Sequence, residues 1–90
     1  MTIASGQYTL GTAVAVKIVP AEGSIQEVHV HCQTKQGNPI IYIGSSTISQ
    51  ANGMHVEAGE TITLSLPAGD DLWAVANATD TVVGVLRVKF

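Results

Sequence analysis

Gly59-Glu60-Thr61-Ile62-Thr63-Leu64-Ser65-Leu66-Pro67-Ala68-Gly69-Asp70 is the stretch on which the fold turns. Ile62, Leu64 and Leu66 alternate with Thr61, Thr63 and Ser65, a period of two that gives an extended chain one apolar and one hydroxylic face. Ala58-Gly59 opens the segment and Pro67-Ala68-Gly69-Asp70 reverses it, so it reads as a half-buried strand between two turns.

The same grammar extends outward in both directions. Met54–Glu57 is a short strand after the turn dipeptide Asn52-Gly53, and residues 45–52 are a polar loop with one apolar pin, Ile48. Residues 40–43 form a short apolar strand that stops at Gly44, preceded by the turn Gly37-Asn38-Pro39. In residues 25–33, Val28, Val30 and Cys32 fall on one face and Glu27, His29 and His31 on the other. Further back, Tyr8, Leu10, Thr12, Val14, Val16 and Ile18 share a face of what reads as one extended segment, ended by residues 20–23. Toward the C-terminus come Leu72–Ala76, a turn near residues 77–80, and a last strand over residues 82–90. Seven or eight strands at regular spacing predict an all-β fold, an antiparallel β-sandwich or small jelly roll. Ninety residues make it one domain, 1–90, because so short a chain buries only about 60–65 per cent of its unfolded surface and cannot divide that between two cores.

Composition narrows the function classes. Charged residues are 12% of the chain, about half the usual share, and hydrophobic residues are 46%, so little polar surface remains to keep one copy apart from the next. A homo-oligomer is expected. The net charge of -3 comes from four basic residues against seven acidic ones, scattered along the chain, which provides no basic face for nucleic acid. The longest apolar run, residues 13–16, is far short of the roughly 18 residues of a membrane helix. Neither nucleic acid nor membrane is expected as a partner. One cysteine, Cys32, forms no internal disulfide, and the sequence shows neither a CxxC pair nor a basic-plus-apolar leader, so synthesis in the cytoplasm without export is the expectation.

Two strands carry apolar residues on both faces. In the last strand Val82, Leu86, Val88 and Phe90 share one face, while Val83 and Val85 lie on the other beside Arg87 and Lys89. The larger set reads as the core side. The Val83–Val85 side then needs a cover, which a partner subunit supplies most simply and which loops over a central strand supply otherwise. Val83 and Val85 are therefore candidate interface residues; Phe90 and Tyr42 are further candidates, and Trp73, whose ring can bury a wide area, reads as a core or interface anchor.

Ile41-Tyr42-Ile43-Gly44-Ser45-Ser46-Thr47-Ile48, then Asn52-Gly53, Gly59-Glu60-Thr61-Ile62-Thr63-Leu64, Asp71-Leu72-Trp73-Ala74-Val75-Ala76 and the strand from Val82 to Val88 resemble small virion proteins of tailed phages. The resemblance covers about half the chain, from residue 40 onward. It implies a β-sandwich of the virion, a decoration or cement protein on the major capsid protein lattice, often a homotrimer, or a module of a tail or head fibre. It carries over no catalytic residue and no cofactor.

The residues that could carry chemistry are few. His29-Val30-His31, separated from Gly23 by five residues, resembles the opening of the cupin metal motif, in which two imidazoles at i and i+2 project from one strand face. The carboxylate that should follow is replaced by Lys35 and Gln36, and Leu72 stands where a third imidazole belongs. His29, His31 and, by a folding coincidence, His55 are the metal candidates; the alternative is a polar strand face beside Glu27 and Gln33. Cys32 points away from His31 and reads as a small core residue. No G-x-S-x-G elbow and no phosphate loop is present, so the chain is not expected to be an enzyme. Trp73 and Tyr42, with Asn77, could instead make a sugar-stacking platform, the glycan-binding alternative for a fibre module.

Overall fold

The computed structural model describes residues 2–90, and the alternating segments form eight strands: β1 (Thr2–Leu10), β2 (Val16–Val19), β3 (Gln26–Cys32), β4 (Ile40–Gly44), β5 (Met54–Glu57), β6 (Thr61–Leu66), β7 (Leu72–Ala76) and β8 (Thr81–Lys89). They make two four-stranded sheets, ordered β1-β8-β3-β6 and β2-β7-β4-β5, with every ladder antiparallel. Pairs β1–β8, β2–β7, β3–β6 and β4–β5 are the arms of one long hairpin whose tip is the β4–β5 connection. Rolling it up brings β8 against β3 and β7 against β4. The result is a jelly-roll sandwich.

Between the sheets lie Leu10, Val28, Val30, Cys32, Leu66, Val83 and Val85 from the first and Ile18, Ile41, Ile43, Val56, Leu72, Ala74 and Ala76 from the second. The alternation read in β3 and β6 is present as expected: Val28, Val30 and Cys32 are buried, and Thr61, Thr63 and Ser65 face outward. Residues 67–70 reverse the chain with Asp70 N donating to Pro67 O at 3.1 Å. Gly69, at φ 87°, occupies the third position of that turn, where a side chain would be strained.

Two expectations are corrected. Residues 8–19 are not one extended segment. Because the strand already begins at Thr2, carrying it unbroken to Val19 would span about 56 Å at roughly 3.3 Å per residue, more than the 37 Å longest extent of the domain. The chain leaves the first sheet after Leu10, bends through residues 11–15 and enters the second sheet at Val16, with Gly11 O tied to Ala76 N at 3.0 Å. The expected alternation does not carry through: Leu10 and Ile18 are buried, Val14 is exposed, and a register shift between Lys17 and Val19 buries Val19 as well.

The second correction concerns β8. Val83 and Val85 are buried in the core and so are not interface residues; Leu86 is exposed. The reason is register. β8 lies between β1 and β3, opposite residues of an antiparallel pair share a face, and Val83 stands opposite Tyr8 and Cys32 while Val85 stands opposite Val30. The unambiguous alternation of β3 therefore sets the facing of β8. Where β8 runs out of apolar residues on this face, Arg87 Nη1 donates to Glu22 Oε2 at 3.2 Å and to Gln26 Oε1 at 3.3 Å. Gln26 is fully buried and donates in turn to Pro20 O, so a polar cluster closes that end of the sandwich.

Candidate interaction surface

The outer face of the β1-β8-β3-β6 sheet follows from the same register. The outward residues of β3 are Glu27, His29 and His31. Beside them on β8 stand Val88, Leu86 and Gly84, next to Ile3, Ser5 and Gln7 of β1, and on the other side Ser65, Thr63 and Thr61 of β6. At one end of this face apolar residues of β1 and β8 gather beside Glu27 and Ser65. Ile3 is 68% exposed and Leu86 41%. At the same end, where Phe90 N donates to Ile25 O at 3.1 Å, Phe90 is 63% and Ile25 56% exposed.

The other end is an open groove of about 470 Å³ of mixed character, lined by Ser5, Gln7, His29, His31 and Gln33 together with Gly6, Gly84, Val85 and Leu86. Gly84 forms its floor, and a methyl group there would run into the Gln33 side chain. The imidazoles are held by the neighbouring strands. His29 Nδ1 pairs with Thr63 Oγ1 at 2.9 Å and Nε2 with Glu27 Oε1 at 3.0 Å, while His31 Nδ1 pairs with Thr61 Oγ1 at 2.7 Å. Both nitrogens of His29 are thus engaged within the sheet.

The metal candidates do not converge. His55 belongs to the opposite sheet, where its ring meets Tyr42 edge-on, centroids 4.8 Å apart. Among the described residues no group of three His, Cys, Asp or Glu side chains is placed to hold an ion. His29→Ala removes two side-chain contacts that are partly solvated and is expected to cost about 1 kcal/mol or less. Urea unfolding followed by circular dichroism measures this, and a loss of several kcal/mol would mean that His29 carries more than a solvated sheet face.

Trp73 and Tyr42 make no stacking platform. Tyr42 is only 8% exposed, because the loop of residues 45–53 folds over it and is pinned by Ile48 and by Gln50, whose Nε2 donates to Thr12 O and Ala76 O at 3.2 Å each. Trp73 is half-buried on the same outer face, with Lys17 Nζ 5.5 Å from its ring centroid. Asn77 Oδ1 already accepts from Ile40 N at 2.8 Å. Cys32 is buried as expected, and desolvation pushes its thiol pKa up against a smaller opposing pull from the backbone of Gly59 and Thr34.

Of the interface candidates, Phe90 is exposed where a partner could meet it, while Val83, Val85 and Tyr42 are taken up inside the domain. Ile3, Ile25, Leu86 and Val88 were not singled out by sequence. Leu86 and Val88 had been placed on the same face as Phe90, correctly, but that face looked like the core.

No protein family matches this sequence, and no curated protein matches it. Among solved structures, the fold is similar to a chain of the Bacillus endospore appendages, described as a novel family of disulfide-linked pili. The TM-score is 0.61 at 13% identity, over 99% of this chain and 86% of that one. At that identity the likeness concerns the fold.

Proposed function

We propose that this jelly roll is a non-enzymatic structural protein of a phage virion, an oligomer that decorates or cements the head. The observation that carries the reading is the apolar end of the outer face of the β1-β8-β3-β6 sheet, where Ile3, Ile25, Leu86 and Phe90 are exposed on a chain with few charges. Contiguous exposed apolar surface of this kind is a liability on a free monomer and an asset on a subunit that a partner covers. The resemblance of residues 40–90 to small virion proteins supports the same reading. A repeating lattice would add avidity to a contact that is weak for one copy.

A second reading, a building block of a fibre, is favoured by the structural likeness to an appendage pilus subunit. The two readings share self-association and differ in chemistry. The pili are described as disulfide-linked, whereas Cys32, the one cysteine of this sequence, is buried in the core. A fibre built from this domain would be held by non-covalent contacts.

The test is the solution mass by light scattering, followed by binding to capsids stripped of their decoration. A trimer that rebinds capsids is the expected result. Phe90→Asp, on an exposed position, should leave unfolding unchanged and weaken rebinding about tenfold or more, as the loss of a desolvated aromatic contact does. A monomer that ignores capsids would overturn the proposal.

A further inference from the structure

The four edge strands are not alike. β2 and β5, the edges of one sheet, are four residues each; β2 carries Lys17 and a register break between Lys17 and Val19, and β5 carries Glu57. Short length, charge and bulges are the devices that keep a sheet edge from pairing with another chain. β1 and β6, the edges of the other sheet, have none of them. β1 is nine residues and β6 six, without a charge, a proline or a break in register, and each pairs on one side only, with β8 and β3 respectively.

A second observation points to the same two strands. Val16 on β2 aside, the hydrophobic residues left only partly buried at the margin of the core are, among the described residues, Tyr8 on β1 and Ile62 and Leu64 on β6. They sit on the inner face at opposite edges of one sheet. Their outward neighbours also match, since Ser5, Gln7 and Thr9 on β1 and Thr61, Thr63 and Ser65 on β6 are all uncharged and polar.

Strand direction completes the fit. The ladders β1–β8, β8–β3 and β3–β6 are all antiparallel, so β1 and β6 run in opposite senses. A second copy placed beside the first in the plane of the sheet presents its β6 to β1 antiparallel, apolar side to apolar side and polar side to polar side.

We infer that copies of this chain associate head to tail, β1 of one pairing with β6 of the next, so that the β1-β8-β3-β6 sheet continues from subunit to subunit. One such interface covers both half-buried margins. A two-fold pairing of β1 with β1 would leave Ile62 and Leu64 uncovered. A head-to-tail contact closes into a ring where the rotation permits and otherwise propagates, so this inference rests on the proposed oligomeric role and names its surface.

The test uses two single variants of the full chain, Gln7→Cys on β1 and Ser65→Cys on β6, both on exposed positions whose side chains make no hydrogen bond within the described residues. Each is treated with a short bismaleimide alone and after co-expression with the other; the wild type, with Cys32 buried, is the control. The expected result is a covalent dimer from the co-expressed pair and from neither variant alone. Cross-linking of either variant by itself, or none in the pair while light scattering still reports an oligomer, would overturn the head-to-tail pairing and leave the structural role standing. A monomeric mass would overturn both.

Discussion

Val83→Asp unfolds the domain, whereas Leu86→Asp, three residues further along the same strand, leaves its stability within about 0.5 kcal/mol of the native chain. Val83 is fully buried at the centre of the β1-β8-β3-β6 sheet, between Tyr8 and Cys32. Losing its apolar burial costs about 2 kcal/mol, and stranding a carboxylate among aliphatic side chains costs several more. A domain of this size holds roughly 5–13 kcal/mol in all, so the sum of about 6 kcal/mol or more takes most of that margin. Leu86 loses little, because its side chain already meets solvent and its backbone bonds are kept. Urea denaturation of both variants, followed by circular dichroism, decides the matter. A folded Val83→Asp beside an unfolded Leu86→Asp would mean that β8 faces the other way.

Gly53→Ala is expected to cost about 1–3 kcal/mol by overpacking, or roughly 4–20 °C in Tm for a domain of this size. A methyl group at Gly53 would stand 2.5 Å from Ile48 Cδ1 and 2.6 Å from Tyr42 Cβ. The first atom is the tip of a flexible side chain and can turn aside. The second is fixed to the backbone of β4 and cannot, so shortening the loop's pin in an Ile48→Ala background should relieve the cost only in part. Gly44 provides the contrast. The three atoms nearest a methyl group there all belong to Ile48, with Cδ1 at 2.6 Å, so Gly44→Ala should cost about 1 kcal/mol or less and become nearly neutral once Ile48 is alanine. Melting curves of the three single and two double variants measure this coupling. Equal costs at the two glycines would show that the loop, rather than Tyr42, is what gives way.

The two experiments probe the features that differed most in how far they could be read in advance. Ile48 was legible as a lone apolar residue in a polar loop, because such a residue has nothing to do in water and must find a neighbour. Which neighbour it found, the surface of β4 beneath Gly44 and Gly53, depends on how the loop folds back, and no local pattern carries that. Tyr42 stood out as an aromatic ring for a partner or a glycan, but this chain's own loop covers it.

The candidate surface was half legible for a related reason. Phe90 stood out by size, and the excess of apolar residues on β8 correctly signalled that one side of the strand needs a cover. Counting placed the larger set, Val82, Leu86, Val88 and Phe90, inside. A strand's own sequence gives two faces but no sign, and with apolar residues on both faces the hydrophobic count alone cannot choose between them. Ile3 was missed altogether, because residues 2–7 mix threonine, serine, glycine and glutamine with single apolar residues and declare themselves a strand only when β8 lies alongside.

By itself, then, the chain's alternation determined that it folds as antiparallel strands in a single sandwich, where the turns fall, and which residues of β3 and β6 point inward, since period-two burial and backbone reversal are local properties. The tertiary structure alone decided that the strand expected over residues 8–19 divides between two sheets, that β8 turns Val83 and Val85 into the core and Leu86 outward, and that β1 and β6 become open edges. Those outcomes depend on which strand becomes whose neighbour and in what register, and pairing across most of the chain's length is settled by the closure of the whole sandwich, not by any one segment of it.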